Sequence, residues 1–427
     1  MTDPTPTRRK FLVAAGTATA LAGCSELGAR SSDSAEEIPL TELPEVPDPD
    51  ESEPILVDDI PIEIEREKLS ESATRVTDLL DTLPMPFGPD DVPNGHIRRE
   101  LTEAAERATG HLDSARSAQT RLSALESLHR ARSEARYAAA GWAFVEQDRT
   151  TTELRAEREE TVDEASAFRS EYEYLGTDPV RAVVVHSHLR RTIERVFDAR
   201  NPSNYGDPGA LLTVAEWGEH AESARAHLED SRYLSDRFEA TLPADAGSLE
   251  ETFDAAAESL TESLGRRRDE LPPEPEEAEE LADRLRYRLR DDAASGAKNA
   301  DDVGGPARTV LAATDALVGV LAYDRLQSRI DDGDRFQVET GEDVRAMRSG
   351  ALEAIRTGLE ESPRPALVRG VLADAAWRVV HADDELARHH SSVRPGRLHG
   401  LIRRYVTATV RARSVPTACK EVVDALK

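Results

Sequence analysis

The sequence predicts an all-α protein of long antiparallel helical hairpins packed as one or two bundles. Three observations carry this. Apolar residues recur at three- and four-residue steps from His96 to the C-terminal end, as a helix needs to keep one face inward. No stretch sustains the period-two alternation of a half-buried strand. Prolines and glycines fall between the periodic segments, where helices tolerate them.

Element by element, Glu65 to Leu83 reads as the first helix, ended by Pro84, Pro86, Gly88 and Pro89. Leu101, Ala105, Ala108 and Leu112 share one face. Leu122, Leu125, Leu128, Ala135, Ala138 and Trp142 continue the pattern to about Gln147. Thr152 to Leu175 follows, stopped by Gly176. Thr177 or Asp178 caps the next helix, with Pro179 in its first turn. Further helices are expected over 208–242, 248–271, 274–294 and 306–330. The last group is 342–361, 363–390, 395–413 and 416–426, with Pro416 opening a new helix. A helix of about 23 residues is ~35 Å long at ~1.5 Å per residue, which favours a bundle over a short-repeat solenoid.

Residues 25–54 hold five prolines and ten acidic residues with no aromatic, too little apolar area to offset ordering entropy. They are expected to be a disordered acidic N-terminal tether. Ile60, Ile62 and Ile64 alternate weakly and suggest one extended piece. The expected division is a signal peptide at 1–23, a lipidated tether at 24–62, an N-terminal bundle at 63–272 and a C-terminal bundle at 273–427.

The first 24 residues carry an address. Thr7-Arg8-Arg9-Lys10-Phe11-Leu12-Val13 resembles a twin-arginine translocation (Tat) signal, with Val13 where the pattern has Lys. Leu21-Ala22-Gly23-Cys24 resembles a lipobox, whose Cys becomes the lipidated first residue. Together they are similar to the signal of Tat-exported lipoproteins of halophilic archaea. The resemblance implies export directed by Arg8 and Arg9 and anchoring through Cys24 to the outer face of the cytoplasmic membrane. Phe11 to Ala22 is too short to span a bilayer core of ~30 Å.

The chain has 83 acidic and 54 basic residues, a formal charge of −29. Removing residues 1–23 takes away three basic residues and one acidic one, leaving about −31. Only five of the basic residues are lysine. A large carboxylate excess with scarce lysine keeps a surface hydrated in concentrated salt. The same charge argues against nucleic acid, which needs a basic footprint. If Cys24 carries lipid, Cys419 has no partner, and it reads as a small buried residue.

Four features point to chemistry. His381, Glu385 and His389 form a ridge at one-turn spacing that could share a divalent metal, although such spacing is more ordinarily a solvated edge. Glu216, Glu219, His220 and His227 form a similar set. Glu126-x-x-His129 is half of a di-iron signature whose second half is missing; His186 and His188 read as helix-boundary residues. No residue between Glu385 and Glu421 is acidic, yet that span holds Arg394, Arg397, Arg403, Arg404, Arg411 and Arg413. These arginines either face an anionic partner or pair with carboxylates of other helices. No nucleophile elbow, zinc-protease helix or phosphate loop occurs, so no catalytic residue and no cofactor is expected.

The function expected from sequence is a membrane-anchored helical interaction or scaffold module, with a possible protein partner at the cell surface. A solute- or metal-binding lipoprotein using the His/Glu ridge comes next, and an extracytoplasmic hydrolase third.

Overall fold

Five of the helices begin where a side chain of the sequence supplies an acceptor for their orphan N–H groups. A computed structural model describes residues 37–49, 52–198, 209–274 and 280–427. Asn94 Oδ1 accepts from His96 and Ile97 N–H at the start of α2 (Gly95–Ser117). Thr120 caps α3 (Arg121–Gln147). Thr150 and Glu153 close a reciprocal capping box on α4 (Thr151–Ser170). Asp178 caps α5 (Pro179–Phe197), with Pro179 first. Thr340 and Asp343 form a second box on α10 (Gly341–Glu360). The remaining helices are α1 (Arg66–Leu80), α6 (Gly209–Glu239), α7 (Glu250–Glu270), α8 (Leu281–Asn299), α9 (Pro306–Asp331), α11 (Pro365–Ala387) and α12 (His399–Ala425). The all-α expectation holds. The departures among the described residues are small: a two-residue antiparallel pair, β1 (Leu175–Gly176) on β2 (Gly247–Ser248), and an isolated bridge between Ile38 and Val393.

In the N-terminal part, α3 packs against α1, α2 and α6, and α6 also meets α4 and α5. In the C-terminal part, α9 meets α7, α8 and α12, while α12 meets α10 and α11. Helix α5 joins the two by packing on α9 and α11 as well as on α6. One apolar cluster accordingly runs from Val183, Val185 and Leu189 of α5 through Val310 and Leu317 to Leu372 and Tyr405. The body, Glu37–Lys427, is a single unit. Helix α7, assigned from sequence to the N-terminal bundle, packs on α8, α9 and α12 instead. The change of neighbours falls between α6 and α7, not at 272.

The tether needs correcting too. Residues 24–36 lie outside the described residues, but from Ile38 onward the chain is a strap laid along the body. Ile38, Leu43, Leu56, Ile60, Ile62 and Ile64 are buried. Ile38 exchanges backbone hydrogen bonds with Val393 at 2.9 and 3.0 Å. Arg369 Nε donates to Val57 O at 2.9 Å, and Tyr233 Oη accepts from Glu65 N–H at 2.7 Å. Average composition hid a few isoleucines that each gain ~2 kcal/mol of burial.

Helix α12 also departs from expectation, because it runs straight through Pro416. Proline removes one helical hydrogen bond, freeing the carbonyl four residues earlier, that of Ala412. That oxygen rests against Gly358 of α10, where an added Cβ would come within 2.7 Å of it. Tertiary packing accommodates a break that local propensity expects. No helix among the described residues is long and apolar enough to cross a membrane.

Candidate functional site

Three helices carry polar stripes at three- and four-residue steps, and the fold turns all three toward one space. Helix α3 supplies Glu126, His129, Arg130 and Ser133. Helix α5 supplies His188, Arg191, Thr192 and Arg195. Helix α6 supplies Glu219, Ser223, His227 and Asp230. With His111 of α2 and Asp58 of the strap they line a cleft of about 610 Å³. A second cleft of about 580 Å³, toward α8, α9 and α11, shares Asp58, His188 and Arg191 with the first.

The floor is tightly arranged. The rings of His129 and His227 stack with centroids 3.7 Å apart. His129 Nε2 is 3.2 Å from Ser223 Oγ, and His129 Nδ1 is 3.9 Å from Asp230 Oδ2. Asp230 is buried and also held by Lys68 of α1 at 3.0 Å. Arg191 Nη2 donates to His188 Nδ1 at 3.1 Å.

The charges divide unevenly. Glu134 is tied to Arg107 at 2.9 Å, and Asp230 to Lys68. Among the described residues, Arg130, Arg191 and Arg195 have no carboxylate within ion-pair distance, although all three line the cleft. Their field reaches the histidines. Burial, then Arg191 and Arg195, pull His188 down to about 3. Burial, His129, Arg195 and His188 pull His227 down to about 2. At the α2 end the sign reverses. Burial, with Glu134 and Glu216 nearby, pushes Glu219 up to about 7. The cleft thus has a cationic middle over neutral imidazoles and an end where a carboxyl holds its proton near neutrality.

Another cleft, of about 660 Å³ between α7, α8 and α9, provides a contrast. Its arginines are occupied: Arg267 by Glu421 at 2.8 Å, Arg286 by Asp283 at 2.8 Å, and Arg290 by the carbonyl of Pro272 at 3.0 Å.

The sequence-predicted sites fare differently. Arg8, Arg9 and Cys24 lie outside the described residues. Cys419 is fully buried and apolar in setting, with its Sγ 3.7 Å from Arg364 O. No group of three or more His, Cys, Asp or Glu among the described residues is placed to hold a metal ion. The ridge of His381, Glu385 and His389 is therefore not gathered into a metal site. His381 lies against the exposed Trp377, and Glu385 turns to Arg404 at 3.7 Å.

The six C-terminal arginines do not form one anion-facing patch. Arg394 pairs with Glu37 at 3.5 Å, Arg404 with Glu385, and Arg411 with Asp315 of α9. Arg397, Arg403 and Arg413 are exposed, but Arg403 and Arg413 sit about 80° apart around α12. The span is free of acid in sequence because its acids come from other segments. Of the second His/Glu set, Glu219 and His227 reach the cleft, while His220 packs edge-on against Trp217. His188 lines it as well, and His186 is a core histidine bonded to Tyr172 and Leu175 O.

Fold and site together define an all-α protein with a polar interhelical cleft at the junction of its two halves. Residues 67–245 match a family model described as a domain of unknown function (DUF8262), and residues 250–424 match a second, also described as a domain of unknown function (DUF8264). The boundary between the two matches falls between α6 and α7, where the helices change neighbours. No curated protein and no solved structure matches the chain.

Proposed function

We propose that the protein is an exported, lipid-anchored binding protein whose cleft takes a small anionic solute. The Tat-like signal at Arg8 and Arg9 and the lipobox at Cys24 support export and anchoring on the outer face of the cytoplasmic membrane. The observation that carries the binding reading is the trio Arg130, Arg191 and Arg195. In a chain with 83 acidic residues, three arginines share one cleft with no carboxylate within ion-pair distance, although Glu126 and Asp58 of the same cleft act through space on Arg195 and Arg191. Guanidinium groups recognise carboxylate or phosphate through paired hydrogen bonds. In molar salt the screening length is ~3 Å, so affinity comes from direct contact and not from long-range steering. A half-buried floor strengthens such contacts by excluding part of the water. A scaffold would need a broad surface for its partner; these polar groups converge on an inward concavity.

The test is calorimetric titration of the purified full chain in molar salt with succinate and with inorganic phosphate. Saturable binding of one of them is expected. A charge-assisted hydrogen bond contributes ~1.5–3 kcal/mol. Arg195→Gln should therefore weaken binding roughly 10- to 100-fold. Absence of saturable binding, or an Arg195→Gln variant with unchanged affinity, sinks the reading.

A further inference from the structure

The cleft floor holds a nucleophile, a base and a carboxylate in sequence. Ser223 Oγ, on α6, lies 3.2 Å from His129 Nε2, on α3. The other ring nitrogen, Nδ1, faces Asp230 Oδ2 at 3.9 Å. All three residues line the same cleft. From this geometry we infer that the protein is also a hydrolase, cleaving esters whose acyl part carries a second, anionic group. The inference rests on the cleft reading, since the arginines would hold that anionic group.

Each participant has a physical role. His129 Nε2 is within hydrogen-bond reach of the hydroxyl, the first requirement of a general base. Asp230 at 3.9 Å is in ion-pair range, longer than a hydrogen bond. Lys68 holds the same carboxylate at 3.0 Å, so Asp230 is a positioning residue that stabilises charge on the imidazole. Ser223 sits in the middle of α6, where backbone N–H groups are consumed by the helical ladder. The developing oxyanion is therefore met by side chains, and Arg130 and Arg195 are the unpaired donors of this cleft.

The chemistry balances with water as the only co-reactant. Ser223 Oγ bonds to the ester carbon while its proton passes to His129 Nε2. The C–O bond to the alcohol then breaks, and the leaving oxygen takes that proton. Water next attacks the acyl-serine, giving a proton to His129. The Oγ–C bond breaks, serine regains its proton, and a dicarboxylate leaves with release of one proton.

This triad has no motif. His129 and Ser223 are separated by 94 positions, and neither is flanked by glycines. The antiparallel pairing of α3 with α6 is what makes them neighbours.

The test uses the full chain, a fluorophosphonate probe and mono-p-nitrophenyl succinate. The probe should label Ser223, located by peptide mass spectrometry, and labelling should vanish in His129→Gln. Ser223→Ala and His129→Gln should each lower kcat on the ester about 100-fold or more. Asp230→Asn should lower kcat with KM unchanged, whereas Arg195→Gln, which removes a contact to both the anionic group and the oxyanion, should raise KM and lower kcat. Helical circular dichroism checks that the variants are folded. If succinate binds but Ser223 is neither labelled nor needed for hydrolysis, the hydrolase is overturned and the binding cleft stands. If Ser223 is labelled through His129 while succinate fails to bind, the relay stands and the anion reading falls.

Discussion

Arg130 and Arg132 are two residues apart on α3 and occupy opposite environments. Two residues turn a helix by ~200°, so the side chains leave on opposite faces. Arg132 is 4% exposed and clamped by Glu222 at 2.8 Å and Glu229 at 2.7 Å, with Arg75 completing the knot on Glu222. Arg130 stands in the cleft with no carboxylate within ion-pair distance among the described residues. The same contrast divides Glu222 from Glu219 on α6. Burial pushes the Glu222 carboxyl up, but hydrogen bonds and charges from Arg75 and Arg132 outweigh it and hold the group at about 2. Burial pushes Glu219 to about 7, with Glu134 and Glu216 adding to it and only the more distant charge of Arg107 opposing. The lesson concerns partners, not residue types. Where an arginine meets its carboxylate inside the protein, both serve the fold. Where it does not, the unspent charge is available to a ligand.

The knot is where this contrast is most sharply broken. Glu222→Gln removes the carboxylate that pairs with Arg75 and one of the two that clamp the deeply buried Arg132, and should lower the unfolding free energy by about 3 kcal/mol in urea titration. The wild type should also show an acid signature. A carboxyl held below its ordinary value of 4.5 contributes stability above that pH and loses it as pH falls toward about 2. Removing Glu222 should flatten that limb of the acid melt; an unchanged acid limb means the knot is not what holds α1, α3 and α6 together.

The approach of α3 to α6 gives the next effect. A Cβ added at Gly218 would collide with Ala140 and sit 3.2 Å from Arg136 O. Gly218→Ala should cost about 1–3 kcal/mol by forcing the helices apart. It should also loosen the spacing of His129 from Ser223 one to two turns away, reducing succinate affinity although it touches no cleft residue. A variant with wild-type melting temperature would show that the cleft is not set by this contact.

Glu219 gives the smallest effect, of opposite sign. A carboxyl whose folded value is raised destabilises the fold as pH climbs from 4.5 through 7, because ionisation is disfavoured in place. Glu219→Gln should stabilise the protein by about 1 kcal/mol above pH 7 and change nothing below pH 4.5. Thermal melts at the two pH values decide this, and equal shifts at both would remove the perturbed carboxyl from the cleft's description.

Sequence alone determined the helices. Their caps at Asn94, Thr120, Thr150, Asp178 and Thr340 are local, and their apolar stripes repeat within one or two turns, so neighbours in the chain suffice to specify them. The acidic, lysine-poor composition and the Tat-like address are likewise properties of the chain as written. Three things depended on tertiary structure. Isolated isoleucines turned the expected tether into a strap from Ile38 onward, because burial depends on what lies opposite and not on average composition. Ala412 O against Gly358 let α12 continue through Pro416. Along the chain, the α6 set resembled a solvated edge, Glu126-x-x-His129 of α3 half a di-iron signature, and His188 of α5 a helix-boundary residue, since each stripe is seen there without what lies opposite it. Only the packing of α5 between the two halves turned them toward one another, and charge neutralisation is a property of distance in space, which no spacing along the chain records.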